Sequence, residues 1–232
     1  NDYQIFSQQS YFVQSANPST FVHLWYVSLY VQLLIVGYLL RKLMKKLNFL
    51  RMQEFAFLAF LTLASAAGMA ALYWFEQDPS HVYYLVSTRL FSFTFGALLS
   101  YIHEGKLLLP ERETGSVVPN ALSLLCLGAL GWMFTTFNGT QAEVYYMMMF
   151  ISSFVMMLLL SCTIREGVGV HYLFSFKGFT FFGKRSFSYY LWFYPIHLIA
   201  PTFLREIDEQ WLSVGFQFAL IFVMAEITYQ LF

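Results

Sequence analysis

The sequence is short of charge. Only 11% of its 232 residues are Asp, Glu, Lys or Arg, whereas a soluble chain carries about a quarter. The charges also cancel, thirteen basic against thirteen acidic, and the sequence shows no basic nucleic-acid surface. Cysteine is nearly absent. Cys126 and Cys162 both fall in apolar runs, so neither supports a disulfide framework or a metal-ligand spacing, and both are expected as small buried helix residues. There is no glycine-rich phosphate loop and no Gly-x-Ser-x-Gly turn, which removes two common nucleotide-binding and hydrolase signatures. The alternation over segments of about ten residues that marks a membrane β-barrel is missing too.

What remains is apolar: 58% of residues are hydrophobic and 21% aromatic. The few charges gather in short clusters between long apolar runs, the pattern of a polytopic membrane protein. The predicted fold class is all-α, a transmembrane helix bundle with seven spans near 22–40, 55–75, 85–103, 119–137, 145–164, 187–204 and 211–232. Each approaches the roughly 20 residues needed to cross the hydrocarbon core. The helices are apolar nearly all round, so periodicity does not separate their lipid-facing from their bundle-facing sides.

Charge distribution predicts an orientation. Arg41, Lys42, Lys45, Lys46, Arg51, Lys106, Arg112, Arg165, Lys177, Lys184 and Arg185 all lie in loops on one side. The other side has Arg205 alone, and Arg89 lies inside a span. The positive-inside rule makes the basic side cytoplasmic, with the N-terminus outside and the C-terminus inside. The chain opens Asn1-Asp2-Tyr3 without Met or signal peptide and ends on Leu231-Phe232 close to a span. Residues 1–232 are therefore expected to form a partial membrane domain, with earlier helices upstream.

Four stretches hold residues capable of chemistry. In the first, "NPSTFVHLWYVSLYVQ", Asn17, Ser19 and Thr20 suit a helix cap and Pro18 an opening turn. His23, Tyr26 and Tyr30 are spaced to share one helical face. With Trp25 they read as an outer aromatic belt or as the wall of a cavity; Gln32 lies too deep for a belt. In the second, Thr88-Arg89 heads a helix with Gly96 seven residues on. A guanidinium does not deprotonate, so Arg89 either snorkels outward or clamps an anion such as a carboxylate or phosphate. Gly96, on the same face, would permit close helix packing.

The third stretch, "GKRSFSYYLWFYPIH", places Tyr190 and Trp192 in the inner part of a span. Pro195 is expected to kink it, and His197 follows as a buried histidine, either helix–helix glue or a pathway residue. The fourth is Glu226. A carboxylate within a span needs a partner, and a basic residue of another helix is the expected one. Asn138-Gly-Thr140 reads equally as a turn or a glycosylation sequon.

Taken together, these stretches resemble the acyltransferase-3 family of membrane O-acyltransferases, most of all its branch of Gram-positive, OatA-type peptidoglycan O-acetyltransferases. The family motif His-x-Trp-Ser-Leu-x-x-Glu-x-Gln meets His23, Trp25 and Gln32, with Tyr26 at the Ser position and Tyr30 at the Glu position. Thr88, Arg89 and Gly96 meet its Thr-Arg motif. Gly183, Ser186, Ser188, Tyr190, Leu191, Trp192 and Pro195 meet its third motif, with Phe187 in place of Tyr and Phe193 in place of a frequent His.

The resemblance implies about ten helices starting in the cytoplasm, hence three upstream of this chain, and an extracellular SGNH-type domain downstream. It implies a multi-pass protein of the bacterial cytoplasmic membrane, with the lipid bilayer as a partner, no bound cofactor and acetyl-CoA as donor. The acetyl group would cross to a cell-wall glycan acceptor through that extracellular domain; the fragment is not expected to act alone. Arg89 and His23 are the candidate catalytic residues, Arg89 as a clamp on donor phosphate or on an oxyanion. Trp25, Tyr26, Tyr30 and Gln32 would line the outer mouth. Tyr190, Trp192 and His197 would line an inner channel, with Glu226 also on the pathway, and the general-base histidine is expected upstream. The alternative is a non-enzymatic transport or polysaccharide-export module on the same scaffold.

Overall fold

The computed structural model describes residues 22–77, 79–104, 117–203 and 210–231. The expected caps at Asn17, Ser19 and Thr20, and the charges Lys106, Arg112 and Arg205, lie outside the described residues. Among those described there is no strand, as the composition predicts. A 3-10 turn at Val22–Leu24 leads into α1 (Trp25–Lys46). Then follow α2 (Arg51–Glu76), the short α3 (Pro79–Tyr84), α4 (Val86–Glu104) and α5 (Val117–Thr136). A π-helical turn at Val144–Met148 runs into α6 (Met149–Thr163), and α7 (Gly169–Ser175), α8 (Lys177–Phe203) and α9 (Gln210–Leu231) complete the order.

Five of these segments are long and apolar enough to cross a membrane: α1, α2, α5, the π turn with α6, and α9. The spans expected at 85–103 and 187–204 are helical, in α4 and α8, but are not among the five. The reason is their polar load. Helix α4 carries Ser87, Thr88, Arg89, Ser92 and Thr94 in its first nine residues, and α8 carries serines, tyrosines, two prolines and His197. These two helices hold the second and third chemistry-bearing stretches. Helix α8 also begins ten residues before its expected span, so Lys177, Lys184 and Arg185 are helical residues rather than loop residues. It remains helical through Pro195.

The described residues form two compact units, residues 27–172 in one and residues 22–26 with 173–231 in the other. In the first, α2 packs on α4, α4 on α6, and α5 on α6. Its larger core joins Leu58, Met69 and Tyr73 of α2 to Phe91, Phe95 and Leu98 of α4, with Val144, Tyr145 and Met157. The buried face of α2 runs Leu58, Thr62, Ser65, Met69, Tyr73, steps of three and four that keep one side of a helix inward. Two of those five, Thr62 and Ser65, are small aliphatic hydroxyl residues. Gly37 of α1 faces Phe93 so closely that an added Cβ would lie 2.7 Å from its ring, the kind of approach small residues allow between membrane helices. Gly96, by contrast, has no atom within 4 Å of where a Cβ would stand. It borders an open cleft of about 310 Å³ between α4, α5 and α6 and makes no close helix contact.

Cys126 and Cys162 are both free and buried, in one cluster with Leu130 and Leu159, as expected. Asn138-Gly-Thr140 forms a turn: the Asn138 Oδ1 accepts from the Thr140 N–H at 3.0 Å and from its hydroxyl at 2.6 Å. In the second unit α8 packs on α9, with Ile196, Ala200 and Ile221 at the core of the contact.

Candidate functional site

The second unit brings His23, Trp25 and Tyr26 of the first stretch together with the third and fourth stretches. His23 sits on the 3-10 turn just before α1, which removes it from the helical face it was expected to share with Tyr26 and Tyr30. Its imidazole packs among residues of α8 instead. The ring centroids of Tyr190 and Tyr194 lie 5.4 Å and 5.2 Å away. The Tyr190 hydroxyl donates to the His23 carbonyl, and His23 Nε2 lies 3.3 Å from the Leu191 carbonyl. A ring nitrogen that faces a carbonyl oxygen carries the hydrogen, so the neutral imidazole keeps its lone pair on Nδ1. Tyr26 joins the group edge-on, its ring 6.1 Å from Tyr190 and 5.9 Å from that of the buried Trp25.

Tyr190 thus belongs with His23, Trp25 and Tyr26 and does not separate from them into an inner group. Tyr194, which the sequence reading passed over, completes the cluster. Its signal was the four-residue spacing from Tyr190, which stacks the two rings along one helical face. Tyr30 and Gln32 fall in the first unit, on α1, where Tyr30 is exposed and Gln32 half-buried.

Further along α8, Trp192 donates its indole N–H to the Thr228 hydroxyl of α9 at 2.8 Å. His197 departs from expectation: it is exposed, stacked on exposed Phe193 one turn away with the rings 6.0 Å apart and nearly parallel. A helix surface spaced by four residues accounts for that stack.

Glu226 has the basic partner its position called for. Arg185 of α8 grips it with two nitrogens, Nε on Oε2 and Nη2 on Oε1, the latter at 3.1 Å. The guanidinium also donates to the Phe181 carbonyl at 3.3 Å and lies 3.8 Å and 4.3 Å from the ring centroids of Phe181 and Tyr229. Gln230 adds a hydrogen bond to the carboxylate at 3.0 Å. The planar guanidinium matches a carboxylate edge and stacks on rings at once, which an ammonium group does not. In the sequence Arg185 lies among the expected loop charges, and the early start of α8 makes it a helical residue facing α9. Beside this pair, α8 and α9 frame an apolar groove of about 530 Å³ lined by Phe182, Tyr189, Phe193, Phe218 and Phe222 among others. The buried Tyr189 hydroxyl has no hydrogen-bond partner among the described residues.

The second stretch lies in the first unit. Thr88 is 1% exposed, and its hydroxyl reaches the carbonyls of Val82 at 2.6 Å and Leu85 at 2.9 Å. Arg89 donates from Nε to the Tyr83 carbonyl at 3.1 Å and stacks over the Tyr83 ring at 4.1 Å. Its Nη1 also lies 2.9 Å from the Met149 sulfur. Both side chains therefore turn back to the last carbonyls of α3, where helix carbonyls go unmet and a cation is favoured. The Arg89 guanidinium is thereby fixed by Tyr83 and Met149.

The acyltransferase-3 family model, an acyltransferase domain, matches residues 3–229 of the chain. The chain is 29% identical to the peptidoglycan O-acetyltransferase OatA of Listeria monocytogenes, over 97% of the chain and 36% of that protein. It is 26% identical to YrhL of Bacillus subtilis over 97% of the chain and 36% of YrhL. It is 24% identical to the O-acetyltransferase OatA of Staphylococcus aureus over 90% of the chain and 34% of that protein. The chain spans about a third of the length of these curated relatives. No solved structure matches it.

Proposed function

The chain belongs to the acyltransferase-3 family, and from that premise we propose that it is part of a membrane O-acyltransferase that acetylates peptidoglycan or another surface glycan. The donor is acetyl-CoA, drawn on from the cytoplasmic side of the bacterial cytoplasmic membrane, and the acetyl group passes outward to a hydroxyl acceptor. The basic helix ends and loops face the cytoplasm. Further parts of a longer protein, including an extracellular domain, hand the group to the glycan.

In such a transfer the attacking hydroxyl loses its proton as the new C–O bond forms. The carbonyl oxygen gathers negative charge, and the C–S bond of the donor breaks as CoA leaves, its sulfur taking up a proton. The proton passes to a general-base histidine in a further part of the longer protein, and His23, its tautomer set by the Leu191 carbonyl, lines the outer mouth. Arg89 meets the negative charge, on donor phosphate or on the oxyanion. Tyr190, Tyr194, Tyr26 and Trp25 hold the imidazole in place, with Tyr30 and Gln32 further along α1. Trp192 and Glu226 hold α8 against α9 through Thr228 and Arg185, and His197 lies on the surface of the same helix.

The observation that carries this reading is the meeting of His23 with Tyr190 and Tyr194, residues far apart in sequence from the first and third family motifs. A histidine that lines a transfer path needs its tautomer fixed and its ring held. The test is Arg89→Ala in the full-length protein. Glycan O-acetylation should fall by about 100-fold or more, with membrane insertion unchanged. Unchanged acetylation would remove Arg89 from the mechanism.

A further inference from the structure

Ser65 of α2 makes an uncommon contact with α4. It is buried, and its hydroxyl donates to the Ser87 carbonyl at 2.5 Å while its oxygen accepts from the Phe91 N–H at 3.0 Å. In an α-helix the N–H of a residue pairs with the carbonyl four residues earlier, so Phe91 and Ser87 are the two ends of a single backbone step. The Ser65 hydroxyl takes hold of both ends. The step it holds encloses Thr88, Arg89 and Leu90. A side chain set into the backbone ladder in this way fixes the local bend and rotation of a helix.

One turn away on the same face of α2, Thr62 makes an ordinary interhelical contact. Its hydroxyl lies 2.7 Å from that of Thr94, side chain to side chain. Ser65 and Thr62 thus join the same two helices with one hydroxyl each, but Ser65 bonds directly to the backbone that carries Arg89, whereas Thr62 reaches it only through the Thr94 hydroxyl. From below, the Arg89 turn is set by Ser65; from above, Thr88 and Arg89 are tied to the carbonyls of Val82 and Tyr83.

We propose that Ser65 is a positioning residue for Arg89, setting the rotation of the first turns of α4 so that the guanidinium points where the reaction needs it. This rests on the reading that Arg89 acts on the donor or the oxyanion. Misplacing a charge-stabilising group by a fraction of an ångström is costly in rate, while the fold loses only one hydroxyl.

The experiment uses the full-length protein in its own membrane, with Ser65→Ala, Ser65→Thr, Thr62→Ala, Arg89→Ala and the double variant Ser65→Ala/Arg89→Ala. Glycan acetate is measured per unit of membrane-inserted protein, and amide exchange is measured at Phe91. Ser65→Ala should lower acetylation by about tenfold, while Thr62→Ala changes it less than about twofold. Ser65→Thr should restore most of the loss, and the double variant should be no worse than Arg89→Ala. Amide exchange at Phe91 should quicken in Ser65→Ala and not in Thr62→Ala. Equal losses in Ser65→Ala and Thr62→Ala, or a full further loss in the double variant, would reduce Ser65 to helix glue. Unaltered exchange at Phe91 would overturn the backbone bridge itself. Full activity of Arg89→Ala would instead strike at the reading of Arg89, whatever Phe91 exchange showed.

Discussion

Two arginines stand in motif stretches of this chain, and the two units hold them by different means. In the α8–α9 unit, Arg185 is gripped by the carboxylate of Glu226 on the facing helix and sandwiched by Phe181 and Tyr229. In the other unit, Arg89 donates to the Tyr83 carbonyl, lies over the Tyr83 ring and reaches the Met149 sulfur. The turn that carries it is held from α2 by Ser65. The first arrangement joins two helices through opposite charges, and its geometry is set by the partner carboxylate. The second aims a guanidinium through its own backbone. A cation held by Glu226 is a structural tie; one aimed by the turn beneath it is suited to meeting charge that comes and goes with a substrate.

Removing one half of the tie breaks the comparison most directly. Arg185→Met or Glu226→Gln alone leaves an uncompensated partner in or near the membrane, and should lower Tm of the detergent-solubilised full-length protein by roughly 5 °C or more. The double variant Arg185→Met/Glu226→Gln should recover most of that loss. Two single losses that simply add would show that the pair contributes nothing as a pair.

Lysine at each arginine position gives a finer contrast. Charge is kept, but the planar fork and its ring stacking are lost. Arg185→Lys still faces Glu226, so it should cost about 2–3 °C in Tm and leave acetylation per folded protein unchanged. Arg89→Lys should lower acetylation by about tenfold with normal insertion. If both variants change the same property, stability or rate, the division of roles between the units does not hold.

The smallest effect is expected at Tyr190→Phe, which keeps the ring beside His23 and deletes the hydroxyl bonded to the His23 carbonyl. Loss of one such bond costs about 1 kcal/mol. Thermal scanning should register a decrease, with a rate loss of a few-fold as the 3-10 turn loosens. A variant indistinguishable from the parent in both would mean that ring packing alone seats His23.

Much of the site was legible in particular residues. Glu226 in a span demanded a cationic neighbour, and Arg185 is that neighbour. The free cysteines are buried in apolar company. The division of the aromatic residues into an outer and an inner group did not carry over. Tyr190 joins His23 and Tyr26, because a 3-10 turn moves His23 off the α1 face and against α8. His197 was read as buried from its place after Pro195, but the helix continues and turns it outward. Gly96, a packing glycine by its spacing from Arg89, borders an open cleft, while Gly37 is pressed against the Phe93 ring. Ser65 carries no sequence signal beyond being a small hydroxyl in an apolar run.

The sequence alone determined that this chain is all-helical, suited to the membrane and of the acyltransferase-3 kind, because scarcity of charge, run length and motif order are properties of the chain itself. Which side of each helix faces inward was left to tertiary structure. In water, burial sorts apolar from polar and leaves a readable stripe; in lipid both sides are apolar, and small size and hydrogen bonding choose the inner face instead. Thr62 and Ser65 on α2, and Thr88 and Thr94 on α4, mark that face here. Only the packed helices turn those hydroxyls, Arg89 and Arg185 into contacts with distinct tasks.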